Sequence, residues 1–152
     1  MENQDFTTIG GIRREFFALR NGLIADTLRK GGMEQKYIFG LQLPQIKGIA
    51  TKVCDAIKEG DATQLARELW EDRECRESRL LAIHLMRSEN TSSDEAIALA
   101  CDIRTREEAD ILAFRLIRYL PEAKDIANKL SKSELVLQQY AAEAIRRFIE
   151  TQ

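Results

Sequence analysis

Apolar residues recur at steps of three and four along nearly the whole chain, which is the period of an amphipathic α-helix. No stretch alternates apolar and polar residues over the length of a strand. The pattern therefore predicts an all-α protein of about eight helices. The first stripe contains Ile12, Phe16, Leu19, Leu23 and Ile24, and we expect it to end at Gly31-Gly32. The second stripe contains Ile46, Ile49, Val53, Ala56 and Ile57.

Helix starts are marked by residues that favour the first turn. Pro44 and Pro121 fit there because the missing N–H of proline would be unpaired in any case. We expect Gly60 to close the second of the stripes above and Asp61 to cap the next helix. Three further starts carry the S/T-x-x-E capping box, namely Ser92 to Glu95, Thr105 to Glu108 and Ser131 to Glu134.

A weak internal repeat suggests how the helices pack. Small residues recur in Leu81-Ala82-Ile83, Leu112-Ala113-Phe114 and Ala141-Ala142, with Ala82, Ala113 and Ala142 spaced 31 and then 29 residues apart. This spacing lies in the range of stacked helix pairs, in which a small residue lets two helices approach closely. We predict one domain over residues 1–152, a HEAT-like α-solenoid of about four antiparallel helix pairs. A closed helical bundle is the alternative.

Composition narrows the class of protein. Hydrophobic residues make up 44% of the chain and charged residues 32%, as in an ordinary globular domain. There is no apolar run of 18 residues, and the N-terminal Met-Glu-Asn-Gln-Asp does not resemble a secretory signal. We therefore expect a cytoplasmic protein without a membrane partner. The net charge of −2 does not favour a nucleic-acid binder, although binding depends on where the charges lie.

The three cysteines, Cys54, Cys75 and Cys101, show no CxxC spacing. An odd number without metal-ligand spacing argues against a disulfide framework and against a zinc site. We expect all three to be small core residues on helices. His84, the single histidine, lies between Ile83 and Leu85 and is expected in the core or at its rim. No cofactor is expected.

Three segments in order, Tyr37–Pro44, Leu65–Trp70 and Glu77–Ile83, resemble the AlkD-like DNA alkylation repair family of HEAT-like glycosylases. The likeness covers residues 37–86 and continues more loosely to the end. The residues of these segments by themselves indicate a structural role, since Gly40 permits a turn and Trp70 suits a packing position between helices.

The resemblance implies excision of cationic N3- or N7-alkylated purines from double-stranded DNA, without a metal. A carboxylate would stabilise the positive charge that develops on the sugar, and Asp110 falls on that catalytic position. The family's tryptophan, four residues earlier, falls on Arg106. The family's phosphate-binding arginine falls on Gln139, or on Tyr140 if the register moves by one. The family's second aromatic lies beyond Gln152.

Arginines on the second helix of each pair are candidates for phosphate contacts, provided that the concave face collects them. Asp110 has a structural interpretation as well, because an acidic residue early in a helix favours the helix dipole. The sequence thus leaves three functions open: an alkylpurine DNA glycosylase, a non-enzymatic helical-repeat scaffold that binds a protein partner on its concave face, and a protein that binds the DNA backbone without catalysis. The predicted DNA-binding residues are Arg79, Arg106, Arg115, Arg118, Gln139 and Tyr140.

Overall fold

The computed structural model describes residues 5–150, which confirm the all-α prediction. Within that range there is no strand, only an isolated parallel bridge between Tyr37 and Cys75. None of the described helices is both long and apolar enough to cross a membrane. The helices are α1 (Ile9–Ala18), α2 (Gly22–Lys30), α3 (Leu43–Ala56), α4 (Glu59–Glu71), α5 (Arg76–Leu85), α6 (Ser93–Cys101), α7 (Arg106–Arg115), α8 (Ala123–Ser131) and α9 (Val136–Glu150), with 3₁₀ turns at Ser88–Asn90 and Ile117–Tyr119.

The chain divides into two compact units, residues 1–85 and residues 86–152. In the first unit α5 packs against α3 and α4, and in the second α9 packs against α7 and α8. The three alanines of the repeat, Ala82, Ala113 and Ala142, are all buried. The small residues of the repeat thus lie in the core, while the stacking of all pairs into one HEAT-like domain stays a prediction.

The first apolar stripe forms two helices where the pattern predicted one segment. The side-chain oxygen of Asn21 accepts hydrogen bonds from the N–H groups of Leu23 and Ile24, at 3.1 and 3.2 Å. A cap of this kind begins a new helix in the middle of the stripe. The apolar spacing continued across the break and did not reveal it.

The expected boundary at Gly60 and Asp61 was wrong. Helix α3 ends at Ala56, and α4 already begins at Glu59, so Asp61 lies inside its first turn. The residue in the capping position is Lys58, whose side chain makes no capping hydrogen bond. Pro44, by contrast, lies in the first turn of α3 as predicted.

Two of the three predicted capping boxes place the helix start correctly. The Ser92 and Thr105 hydroxyls accept from the N–H groups of Glu95 and Glu108, at 3.1 and 3.0 Å. The third was wrong, because Ser131 lies in the last turn of α8 and its hydroxyl donates to the Asn128 carbonyl. Helix α9 does not begin until Val136.

The first unit is built around Glu77 on α5, which has no exposed surface. Its carboxylate accepts from the backbone N–H groups of Phe39 and Gly40, at 3.0 and 3.1 Å, and from Arg76 at 2.7 Å. Gly40 has a φ of 86°, which glycine adopts without strain. The buried carboxylate thus fixes the turn that leads into α3.

Trp70 is a core residue, as predicted, with 5% of its surface exposed. The guanidinium of Arg79 lies 3.4 Å from the centroid of its ring, and Arg79 also donates to the Trp70 carbonyl at 2.7 Å. Arg79 is itself fully buried. The pair is therefore part of the packing between α4 and α5.

Cys75 is buried, as predicted, but it was expected on a helix; the predicted core positions of Cys54 and Cys101 were wrong, because both are exposed. Cys75 lies just before α5, and burial raises the pKa of its thiol. The two exposed cysteines lie on the solvent-exposed sides of α3 and α6. They were predicted in the core because free cysteine usually behaves as a small apolar residue.

We expect a maleimide reagent to label Cys54 and Cys101 rapidly and Cys75 slowly in the native protein. The thiolate is the reactive form of cysteine. At Cys75 burial keeps the reagent away from the sulfur, and the raised pKa lowers the fraction of thiolate. Mass spectrometry of a labelling time course checks this. A Cys54→Ser, Cys101→Ser variant is the control, and fast labelling of that variant without denaturant would contradict the burial of Cys75.

We expect Glu77→Gln to lower the free energy of unfolding by about 3–5 kcal/mol, because it removes a buried charge that Arg76 and three backbone donors share. Glu68→Gln, at an exposed position on α4, is the matched control and should change it by less than about 0.5 kcal/mol. Urea unfolding followed by circular dichroism measures both. Equal effects would show that Glu77 does not hold the turn.

Candidate active site

Asp110 lies on α7 of the second unit, at the edge of the buried face of the helix. Its neighbours Ala109 and Ile111 are buried, whereas 39% of its own side chain is exposed. The Thr105 cap sets where α7 begins, and this fixes the position of Asp110 in the second turn. Its carboxylate is therefore held on an ordered helix and remains accessible from solvent.

Tyr140 on α9 bonds directly to this carboxylate. Its hydroxyl lies 3.0 Å from Oδ1 and 2.9 Å from Oδ2 of Asp110, so that one phenol proton is shared between two acceptors. The following residues on α9, Ala141 and Ala142, are buried and bring the helix close to its neighbours. The side chain of Tyr140 is half-buried and bridges α9 to α7.

Arg147 also reaches Asp110. It lies seven residues after Tyr140, or about two turns, and so shares its side of α9. The distance from its Nη2 to Oδ1 of Asp110 is 3.4 Å, and its side chain is 57% exposed. An exposed ion pair of this length contributes only about 0–1 kcal/mol, so this arginine can exchange Asp110 for another anion at little cost.

A second arginine, Arg106, lies one helical turn before Asp110 on α7. Its guanidinium is 5.0 Å from the centroid of the Tyr140 ring, within the range of a cation–π contact. The side chain is exposed. Tyr140 therefore meets Asp110 through its hydroxyl and Arg106 through its ring.

Aromatic side chains continue this surface along α7 and α9. Phe114 lies one turn after Asp110, is 43% exposed, and packs edge-to-face on Phe148, with ring centroids 5.2 Å apart. The guanidinium of Arg118 lies 4.0 Å from the Phe114 ring, and that of Arg147 lies 5.3 Å from the Phe148 ring. The carboxylate thus has arginines and aromatic faces around it.

The described residues contain no cluster of three histidine, cysteine, aspartate or glutamate side chains suited to a metal ion. The single histidine, His84, belongs to the other unit, where its Nδ1 lies 2.8 Å from the Leu80 carbonyl. Besides the carboxylate of Asp110, this surface carries the exposed arginines Arg106 and Arg147. Such a set can stabilise a cation next to a polyanion.

A family model described as DNA alkylation repair enzyme matches residues 12–151. The chain belongs to this family. No curated protein and no solved structure shows significant similarity to the chain. The family match covers Asp110, Tyr140 and Arg147 together.

The structure brings three of the predicted site residues together: Asp110, Arg106 and Tyr140. Arg118 lies in the 3₁₀ turn Ile117–Tyr119 after α7 and contacts Phe114, and Arg115 is exposed at the end of α7. Gln139, the other candidate for the family's arginine position, uses its amide to bind the Ser133 carbonyl at 2.7 Å, in the turn before α9. Of the two registers, only the one through Tyr140 contacts Asp110.

Arg79 is not available to a ligand in this structure. It has no exposed surface and is bound to Trp70, so a phosphate contact would require α4 and α5 to separate. The expected phosphate contact of Arg79 therefore has no geometric support. A run of four buried polar residues, Arg76 to Arg79, distinguishes this helix from an ordinary amphipathic one.

Sequence reasoning missed Phe114 and Phe148 as members of the site, and it included Arg147 only among the arginines that could line the concave face. A signal was present, because Arg147 lies two turns after Tyr140 and Phe114 one turn after Asp110. This helical spacing points to the site only once Tyr140 is known to be the partner of Asp110. That pairing depends on how α7 packs on α9.

Proposed function

We propose that this chain is a metal-free DNA glycosylase that releases cationic N3- or N7-alkylated purines from double-stranded DNA, with Asp110 as the catalytic carboxylate. The observation that carries the proposal is a partly exposed carboxylate which Tyr140 holds in place and which arginines and exposed aromatic rings surround. Membership of the DNA alkylation repair family supports DNA as the partner. The HEAT-like solenoid belongs to the same proposal.

In this reaction the bond between the alkylated base and the sugar breaks, and the base leaves as a neutral molecule with the bonding electron pair. Positive charge moves from the base to the sugar, where Asp110 stabilises it. Water then adds to the sugar carbon and gives its proton to Asp110 or to solvent. The base is already cationic and needs no proton to leave, so a site without a histidine suffices.

The charge of Asp110 would supply one part of the rate enhancement. Two opposite unit charges about 4 Å apart attract by about 4 kcal/mol at an effective dielectric constant of about 20, which corresponds to roughly a thousandfold in rate. Arg147 opposes this while it is bound to Asp110. Because that ion pair is exposed and long, a DNA phosphate can draw the guanidinium away and leave the carboxylate with Tyr140.

One observation favours the alternative, a scaffold that binds a protein partner. Leu135 and Val136, at the start of α9, are 61% and 66% exposed, and adjacent exposed apolar side chains suit a protein contact. A stoichiometric protein partner that is lost on Leu135→Ser, together with no base release, would favour this function. Arg106, at the position of the family's tryptophan, also weighs towards it.

We expect Asp110→Asn to reduce the single-turnover release of N7-methylguanine from methylated duplex at least about 100-fold, because the neutral amide cannot stabilise a cation. Duplex binding should be unchanged or tighter, since a negative charge is removed. Asp125→Asn, an exposed site on α8, is the matched control. Normal release by Asp110→Asn, or no release by the wild type at high protein concentration, would refute the glycosylase.

We expect Arg147→Gln to weaken duplex binding and to reduce the slope of log affinity against log salt by about one, which corresponds to one lost phosphate contact. Arg146→Gln is the control, because Arg146 instead donates to the side-chain oxygen of Asn128 at 2.9 Å. Fluorescence anisotropy at several salt concentrations measures both. Equal slopes for Arg147→Gln and wild type would show that Arg147 meets no phosphate.

A further inference from the structure

We propose that Tyr140 is the positioning residue of the glycosylase, and that its hydroxyl acts through Asp110 and makes no contact with DNA of its own. The inference rests on the proposed function and assigns Tyr140 a different role from the DNA contact expected from the sequence. It starts from two distances, 3.0 and 2.9 Å, between the phenol oxygen and the two oxygens of Asp110.

A half-exposed aspartate on a helix has several accessible rotamers, and a change of χ1 would move its carboxylate by several ångströms. Tyr140 selects one of them, since any other χ1 rotamer breaks both contacts of the hydroxyl. The tyrosine can do this at low entropic cost, because it has two side-chain torsions and its ring is half-buried. Arg147, on a long and exposed side chain, cannot fix the carboxylate in the same way.

The hydroxyl of Tyr140 also suits this role because it carries no charge. It is a neutral donor, so it orients the carboxylate and leaves its full negative charge available for the sugar cation. An arginine in the same place would cancel that charge. Tyr140 and Arg147 thus act differently on Asp110. Tyr140 orients the carboxylate, and Arg147 neutralises its charge until DNA binds.

The ring of Tyr140 also contacts Arg106, whose guanidinium lies 5.0 Å from the ring centroid. Phenylalanine preserves this contact and the packing of α9 on α7, so Tyr140→Phe removes the hydroxyl alone. Asp110 then remains charged but is free to change rotamer. A loss of orientation lowers the rate of the bound complex and leaves binding unchanged.

The experiment compares single-turnover release of N7-methylguanine by wild type, Asp110→Asn, Tyr140→Phe and the double variant. We expect Tyr140→Phe to lower the maximal rate about 10- to 100-fold while the concentration for half-maximal rate stays constant. In the Asp110→Asn background the same change should have no further effect, which a merely structural role would not produce. Tyr37→Phe, which removes a phenol hydroxyl from the first unit, is the control.

Replacement of Tyr140 by 4-aminophenylalanine keeps a hydrogen-bond donor at the ring and should restore most of the rate, even if Tyr140→Phe unfolds. Wild-type rate in Tyr140→Phe, additive losses in the double variant, or no rescue by the amine would overturn the positioning role alone. No release by the wild type would overturn the glycosylase and the positioning role together. If Tyr140→Phe instead raised the protein concentration needed for half-maximal rate and left the maximal rate unchanged, Tyr140 would be a DNA contact.

Discussion

A single carboxylate that is ordered by one neighbour and still open to solvent is the feature on which the site depends. Asp110 satisfies both conditions, because Tyr140 bonds to its two oxygens while 39% of the side chain stays exposed. Deeper burial would raise the cost of keeping the charge, and full exposure would lose the orientation. The packing of α9 on α7, which places Tyr140 beside Asp110, holds the side chain between these limits.

The two units use charge in opposite ways. In the first unit Glu77, Arg76 and Arg79 are buried, and their contacts include backbone groups, the pair of Arg76 with Glu77, and the ring of Trp70. Such an arrangement stabilises a turn and a helix pair and offers nothing to a ligand. In the second unit Arg106 and Arg147 are exposed beside Asp110. Arginines therefore have a structural role in the first unit and are open to solvent in the second.

Much of the fold was predictable from the sequence, since apolar periodicity identifies helices and the Ser92 and Thr105 caps mark their starts. The errors have local causes. Asn21 interrupts a continuous stripe, and Ser131, which matches a capping box in its residues, ends a helix because Ser133 and Leu135 form the turn that follows.

The site was predictable only in part. Asp110 and Arg106 follow from the resemblance, and helical spacing then implicates Phe114. The bond between Asp110 and Tyr140 joins residues 30 apart, and its existence depends on the rotation of α9 about its own axis. No sequence pattern within either helix fixes that rotation. The same applies to Arg79, which is buried against Trp70 of the preceding helix.

The most direct measurement of the central claim compares two abasic analogues in the same duplex, one with a cationic pyrrolidine in place of the sugar and one with a neutral tetrahydrofuran. If Asp110 stabilises positive charge on the sugar, the wild type should bind the cationic duplex at least about tenfold more tightly, a difference of about 1.4 kcal/mol. Asp110→Asn should bind both duplexes equally. An equal affinity in the wild type, or a preference that survives Asp110→Asn, would contradict the account.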